Sequence, residues 1–200
     1  MTHSPGDLIA HAHNYTYRLD DALQMIEPAP LQALGDAIRD CWRAGHQIFL
    51  CGNGGSAANA IHIANDFIYG AGRKADRGLK AIALSANSAV ITCLANDVGY
   101  EHIFSEQLKV LASENDILIA LSGSGNSPNI LKALEQATSI GMKSFAILGY
   151  SGGKAKSMAT TAIHVPVDDM QIAEDIQLVI GHILMQWLSA VSVETISQAA

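Results

Sequence analysis

Charged and aromatic residues are both scarce in this 200-residue chain. Charged residues make up 16 % and aromatic ones 6 %, with only 2 Trp, 5 Pro and 3 Cys. Basic residues are the scarcer sign, 12 against 19 acidic ones for a net charge of −7. That balance argues against a nucleic-acid groove, which needs a basic face. Cys41, Cys51 and Cys93 are widely spaced and odd in number; they form no zinc-knuckle spacing and fit a reducing cytoplasm. The first residues, Met-Thr-His-Ser-Pro-Gly-Asp, hold no basic n-region and no apolar h-region, so no signal peptide is expected. Repeats, low-complexity runs and linkers are missing too. What remains is a chain 49 % apolar, long enough for one domain with a sizeable core and surplus enough to suggest surface buried between subunits.

Residues 6–27 place Leu8, Ala12, Tyr15, Leu19, Leu23 and Ile26 at steps of three and four, which predicts an amphipathic helix. Pro28 and Pro30 break it and open a second helix through Arg43, ending at Gly45. From Gln47 the pattern alternates. Strands are expected at 47–51, 80–84, 116–121, 143–148 and 161–165, and helices at 56–69, 87–95, 102–112, 127–140 and 171–197. This predicts an α/β fold: three αβα layers with a five-stranded parallel sheet, preceded by two N-terminal helices. The reading is one domain over 1–200, with 1–45 serving oligomer packing and 46–200 forming the core. The loop 70–79, with Arg73, Lys74 and Arg77, reads as a solvated turn. The last helix is apolar nearly all round from Ile176 to Val193 but interrupted by Gln177, His182, Gln186 and Ser189, so burial at an interface is expected rather than a membrane span.

Two glycine-rich turns follow apolar strands. The first, Gly52-Asn53-Gly54-Gly55-Ser56, leads into a helix and offers free N–H groups and a helix dipole to an anion. The second, Ser122-Gly123-Ser124-Gly125-Asn126-Ser127-Pro128, adds three hydroxyls, with Ser127 as a natural N-cap and Pro128 as first helical residue. Either could be an ordinary strand-to-helix turn; together, at two strand ends, they suit a phosphate monoester. The first also fits G-x-G-x-x-A, but the second strand ends Ala83-Leu84-Ser85-Ala86-Asn87 without the carboxylate a dinucleotide ribose needs, and no Gly-Lys-Ser/Thr follows for a Walker loop.

His62 and Asp66 lie four residues apart on one helical face just past the first turn, as a catalytic pair or metal ligands. Glu174 and His182 are further candidates, although eight helical residues separate them by about 12 Å. Asn96 and Asp97 follow a helix-like stretch, as a plain turn or a holder of substrate hydroxyls. His3, His11, His13, His46, His102 and His164 have no such context and read as surface or structural.

Cys-Gly-Asn-Gly-Gly-Ser-Ala at 51–57, His62, Ala95-Asn96-Asp97 and Ser-Gly-Ser-Gly-Asn-Ser at 122–127 resemble the SIS (sugar isomerase) domain, and within it the sedoheptulose 7-phosphate isomerases. The resemblance covers nearly the whole chain. It implies a flavodoxin-like or Rossmann-like fold and a cytoplasmic homotetramer with active sites between subunits. It also implies conversion of sedoheptulose 7-phosphate to D-glycero-D-manno-heptose 7-phosphate through an enediol, towards surface-polysaccharide heptose. Carried over by position, Asn53, Gly54, Gly55, Asn96 and Asp97 contact substrate, and Ser56, Ser122, Gly123, Ser124 and Ser127 hold the phosphate. His62, Asp66, Glu174 and His182 fall on the zinc ligands, with Asp66 and Glu174 also near the substrate and Asp66 and His182 as the acid–base pair. Asp66 stands where the family commonly has Glu, and Glu174 where it has Gln. The alternatives are an isomerase of another ketose phosphate, a non-catalytic SIS protein binding a replication initiator, and a sugar-phosphate-sensing regulator.

Overall fold

The computed structural model describes residues 7–73 and 77–197. His3, Lys74 and the Val193 side chain fall outside the described residues. The elements are α1 (Leu8–Gln24), α2 (Pro28–Ala44), β1 (Gln47–Gly52), α3 (Gly55–Asn65), β2 (Lys80–Ala83), α4 (Ser88–Asp97), α5 (Ser105–Leu111), β3 (Ile117–Ser122), α6 (Pro128–Ile140), β4 (Lys143–Leu148), α7 (Ala155–Met158), β5 (Thr161–His164) and α8 (Met170–Ser197). All five strands run parallel in the order β2-β1-β3-β4-β5.

The helix boundaries follow local chemistry. The Asp7 carboxylate caps α1 by accepting from the N–H groups of Ile9 and Ala10 at 3.0 and 3.1 Å. Prolines open α2 and α6, and Gly45 and Gly141 end them in the left-handed region. Period-two alternation divides the strands between two cores. Ile48 and Leu50 of β1, Ile117 and Ile119 of β3, and Phe145 and Ile147 of β4 face α1, α2, α3 and α8. Phe49, Leu118, Ala146 and Leu148 face α5, α6 and α7. α8 presents Ile172, Ile176, Ile180, Leu184 and Leu188, all buried, at four-residue steps to the first core. Each such side chain contributes about 1.5–3 kcal/mol, which anchors α8 along α3.

Five expectations need correction. The helix expected over 56–69 is α-helical only to Asn65; Asp66–Ala71 is a π-helical turn, seated against Met185 of α8 at Gly70. Asn96 and Asp97 do not follow α4 but form its last turn. The helix expected over 102–112 begins as a 3₁₀ turn, Tyr100–His102, before α5. Helix α7 lies in a stretch where no element was expected. The core is not confined to 46–200: Leu34 and Ile38 of α2 are fully buried in it. Among the described residues no helix is long and apolar enough to cross a membrane.

Candidate active site

The strand order reverses between β1 and β3, so the loops leaving their carboxyl ends diverge and open a crevice between them. The two glycine-rich turns are those loops. At Gly52 the chain turns so sharply that an added Cβ would lie 2.5 Å from the Ser56 carbonyl oxygen, which only glycine avoids. Ser56 is buried in the first turn of α3. The Glu174 carboxylate lies directly over Gly55, where an added Cβ would overlap it. A negative group from α8 therefore already sits against the N-terminal turn of α3, where the helix dipole favours it.

The second loop is held from below. Ser122 Oγ accepts the Gly125 N–H at 3.1 Å, and Ser124 Oγ accepts the Asn126 N–H at 3.3 Å, so both hydroxyls keep their hydrogens for a ligand. The segment after β4 supports it through Gly149 N–H to Gly123 O and Ala155 N–H to Gly125 O, both 3.0 Å, and Lys154 N–H to Asn126 Oδ1 at 3.1 Å. Ser127 takes the N-cap position of α6 without making a cap hydrogen bond, which leaves its hydroxyl available. Hydroxyls around the start of a 13-residue helix make an anion seat.

His62, Asp66 and His182 come together although 120 residues separate the histidines. The two Nε2 atoms are 3.0 Å apart, and Asp66 Oδ2 is 3.4 Å from His62 and 3.6 Å from His182. The rings meet edge to face. The contact depends on a close crossing of α3 and α8 at Gly181, packed against Ile63. Asp66 opens the π-helical turn, a distortion found often at functional sites. Ligands at tetrahedral corners about 2.0–2.1 Å from zinc stand about 3.4 Å from one another. The trio matches that spacing, with one corner left for water or substrate, so these residues fit a metal ion.

The structure does not bring every expected residue to this trio. Glu174 stays at the first loop. Asp97, at the exposed end of α4, accepts from Asn96 Nδ2 at 2.7 Å and from Cys93 Sγ at 3.5 Å. That carboxylate raises the Cys93 thiol pKa. Burial pushes the Cys51 thiol up to about 12, so the cysteine of the first motif is an inert core group. Sequence reasoning missed Asn129 and Tyr100, both bonded to Asn53, and Asn59, which donates to Glu174 O at 2.8 Å. An asparagine one residue past Pro128 reads as a solvated helix start, so only the fold reveals it.

Comparison with known proteins shows what the chain is similar to. The SIS domain family matches residues 13–149. The phosphoheptose isomerase of a Nitratiruptor species is 44 % identical over 138 residues, 69 % of this chain and 73 % of that one. That of Chlorobaculum parvum is 35 % identical over 182 residues, 90 % and 87 % of the two chains. The structure of a phosphoheptose isomerase from Francisella tularensis superposes with a TM-score of 0.86 at 28 % identity, covering 94 % of this chain and all of that one.

Proposed function

The chain belongs to the phosphoheptose isomerases of the SIS-domain family, and from that premise we propose how its own residues carry the reaction. The protein is an aldose–ketose isomerase that converts sedoheptulose 7-phosphate into D-glycero-D-manno-heptose 7-phosphate in heptose biosynthesis. The observation that carries the mechanism is the convergence of His62, Asp66 and His182 within 3.6 Å.

The phosphate sits on Ser122, Gly123, Ser124 and Ser127, with Ser56 on the facing loop. Anchoring the far end of the sugar orients its carbonyl end and removes much of the entropic barrier. Asn53, Gly54, Gly55, Asn96 and Asp97 hold hydroxyls, and the Glu174 carboxylate accepts from a hydroxyl beside Gly55. Asp66 takes the proton from C1 of the ketose while His182 protonates the carbonyl oxygen at C2, which gives the enediol. The proton returns to C2 and the hydroxyl proton leaves O1, so the aldose forms with atoms and charge balanced. A zinc ion held by His62, Asp66 and His182 would instead supply Lewis-acid polarisation of that carbonyl, in competition with these proton transfers, because a ligated carboxylate is a weaker base and a ligated imidazole nitrogen has no proton to give. The retained trio weighs against a non-catalytic, partner-binding role.

The same reading makes the protein a cytoplasmic homotetramer feeding surface-polysaccharide synthesis. Support for assembly comes from α4, an apolar helix with no buried residue, and from the exposed Leu8, Ile9, Tyr17 and Val110. The test is turnover of sedoheptulose 7-phosphate by wild type, a His182→Ala variant and zinc-stripped protein. His182→Ala is expected to lower kcat by about 10²–10⁴-fold; wild-type turnover in that variant removes His182 from the mechanism. Activity lost on stripping and regained with zinc assigns the trio to ligation, and activity that survives assigns it to proton transfer alone.

A further inference from the structure

Asn129 is the second residue of α6, 1 % exposed, and has no part in the reaction described above. Its hydrogen bonds fix more than its own position. Asn129 Oδ1 accepts the Ile130 backbone N–H at 3.0 Å, and since a backbone N–H can only donate, that atom must be the amide oxygen. Asn129 Nδ2 then faces Asn53 and needs an acceptor there, which it finds in Asn53 Oδ1 at 2.8 Å. Asn53 Nδ2 returns the bond to Asn129 Oδ1 at 2.9 Å, closing a cyclic amide pair across the crevice between the two ligand loops. The Tyr100 hydroxyl donates to the same Asn53 Oδ1 at 3.1 Å.

Asn53 therefore has no choice of orientation. Both lone-pair directions of its oxygen are taken, and one of its two N–H bonds is engaged. The other N–H points away from the pair. Asn53 lines a crevice of about 470 Å³ together with Tyr100, Glu101, Ser127, Pro128 and Asn129. We propose that Asn129 and Tyr100 are positioning residues that lock Asn53 as a donor-only group aimed at a hydroxyl or carbonyl oxygen of the sugar phosphate. The inference rests on the isomerase reading. It makes the first ligand loop selective for an acceptor atom, set by a residue on the helix of the second loop.

The experiment combines Tyr100→Phe and Asn129→Ala, each alone and in an Asn53→Ala background, with kcat and KM for sedoheptulose 7-phosphate and thermal unfolding of every variant. Tyr100 is 55 % exposed, so loss of its hydroxyl leaves folding intact. Tyr100→Phe should lower kcat/KM by about 3–10-fold, the effect of one net hydrogen bond, and Asn129→Ala by about 10–100-fold, the effect of a misplaced contact. Both effects should shrink to within about twofold once Asn53 is alanine, because coupled groups are non-additive. Effects that persist undiminished without Asn53 overturn the proposal. Wild-type protein inactive on this sugar would count against the isomerase reading alone. The crystal structure of the Tyr100→Phe/Asn129→Ala protein then decides: a turned Asn53 amide supports the lock, and an unchanged rotamer refutes it.

Discussion

Gly181→Ala tests whether the α3–α8 crossing sets the chemistry. An added Cβ would lie 2.5 Å from Ile63 Cγ1 and 2.8 Å from its Cδ1, against an ordinary carbon–carbon separation of about 3.5–4.0 Å. Ile63 is buried and cannot swing into solvent, so the helices must part by about 1 Å. Two effects oppose each other in stability. Alanine for glycine inside a helix gains about 1 kcal/mol, and overpacking costs about 1–3 kcal/mol. The net loss is about 0–2 kcal/mol, a modest change in the thermal midpoint. The site feels more, because His182 follows Gly181 and His62 precedes Ile63. Their Nε2 atoms, now 3.0 Å apart, would separate beyond the roughly 3.4 Å edge of a tetrahedral zinc site. Zinc affinity should fall by about 10–100-fold, as it does when residues that orient ligands are changed. A chelator-competition titration reads this directly, with turnover beside it. Adding Ile63→Ala removes the obstacle: affinity should recover while stability drops by about 2–5 kcal/mol. A Gly181→Ala protein that keeps wild-type affinity and turnover would refute the idea that this crossing sets the trio.

Gly125→Ala should damage the phosphate seat: at φ +65 an alanine is strained, and its Cβ would lie 2.6 Å from the Gly152 carbonyl carbon and closer still to the oxygen. KM for the sugar phosphate should rise at least about tenfold, with inorganic phosphate inhibition weakened in parallel, for a backbone shift of this kind. The Asp169 carboxylate at the start of α8 accepts from Ile172 and Gln171 N–H and pairs with Arg18, and the Ile172 bond foremost holds its pKa below the usual carboxylate range. A depressed folded pKa gives stability that is present above the unfolded value and lost as pH falls through the folded one. Asp169→Ala should therefore cost about 1 kcal/mol at pH 7 and less as the pH is lowered below the ordinary carboxylate range, read by urea unfolding. Alkylation should label Cys93, exposed in the single chain, well before Cys41 and Cys51, both pushed up to about 12 by burial, and assembly through α4 should slow the Cys93 reaction as protein concentration rises; mass spectrometry of tryptic peptides gives the order.

Much of the layered fold was legible because buried parallel strands are written as short apolar runs. Ile48 to Cys51 and Ile117 to Leu121 could be little else. Both glycine-rich loops were legible for a similar reason: glycine and serine after such a run announce a backbone that must pass close to something. What stayed hidden depends on contacts distant in sequence. The π-helical turn from Asp66 answers to packing on α8, which helical periodicity does not encode. The meeting of His62 with His182 needs Gly181 against Ile63, and the separation of Glu174 from them needs its place over Gly55. Asn129 carries no sequence signal; only the fold sets it beside Asn53.

Proton NMR of the wild-type protein with sedoheptulose 7-phosphate in deuterated buffer, with and without zinc, tests the central claim most directly. The account predicts aldose formation with deuterium at C2, because the proton taken from C1 passes through side chains that exchange with solvent. No aldose under either condition would contradict the isomerase reading, and aldose carrying only protium at C2 would contradict proton transfer through side chains that exchange with solvent.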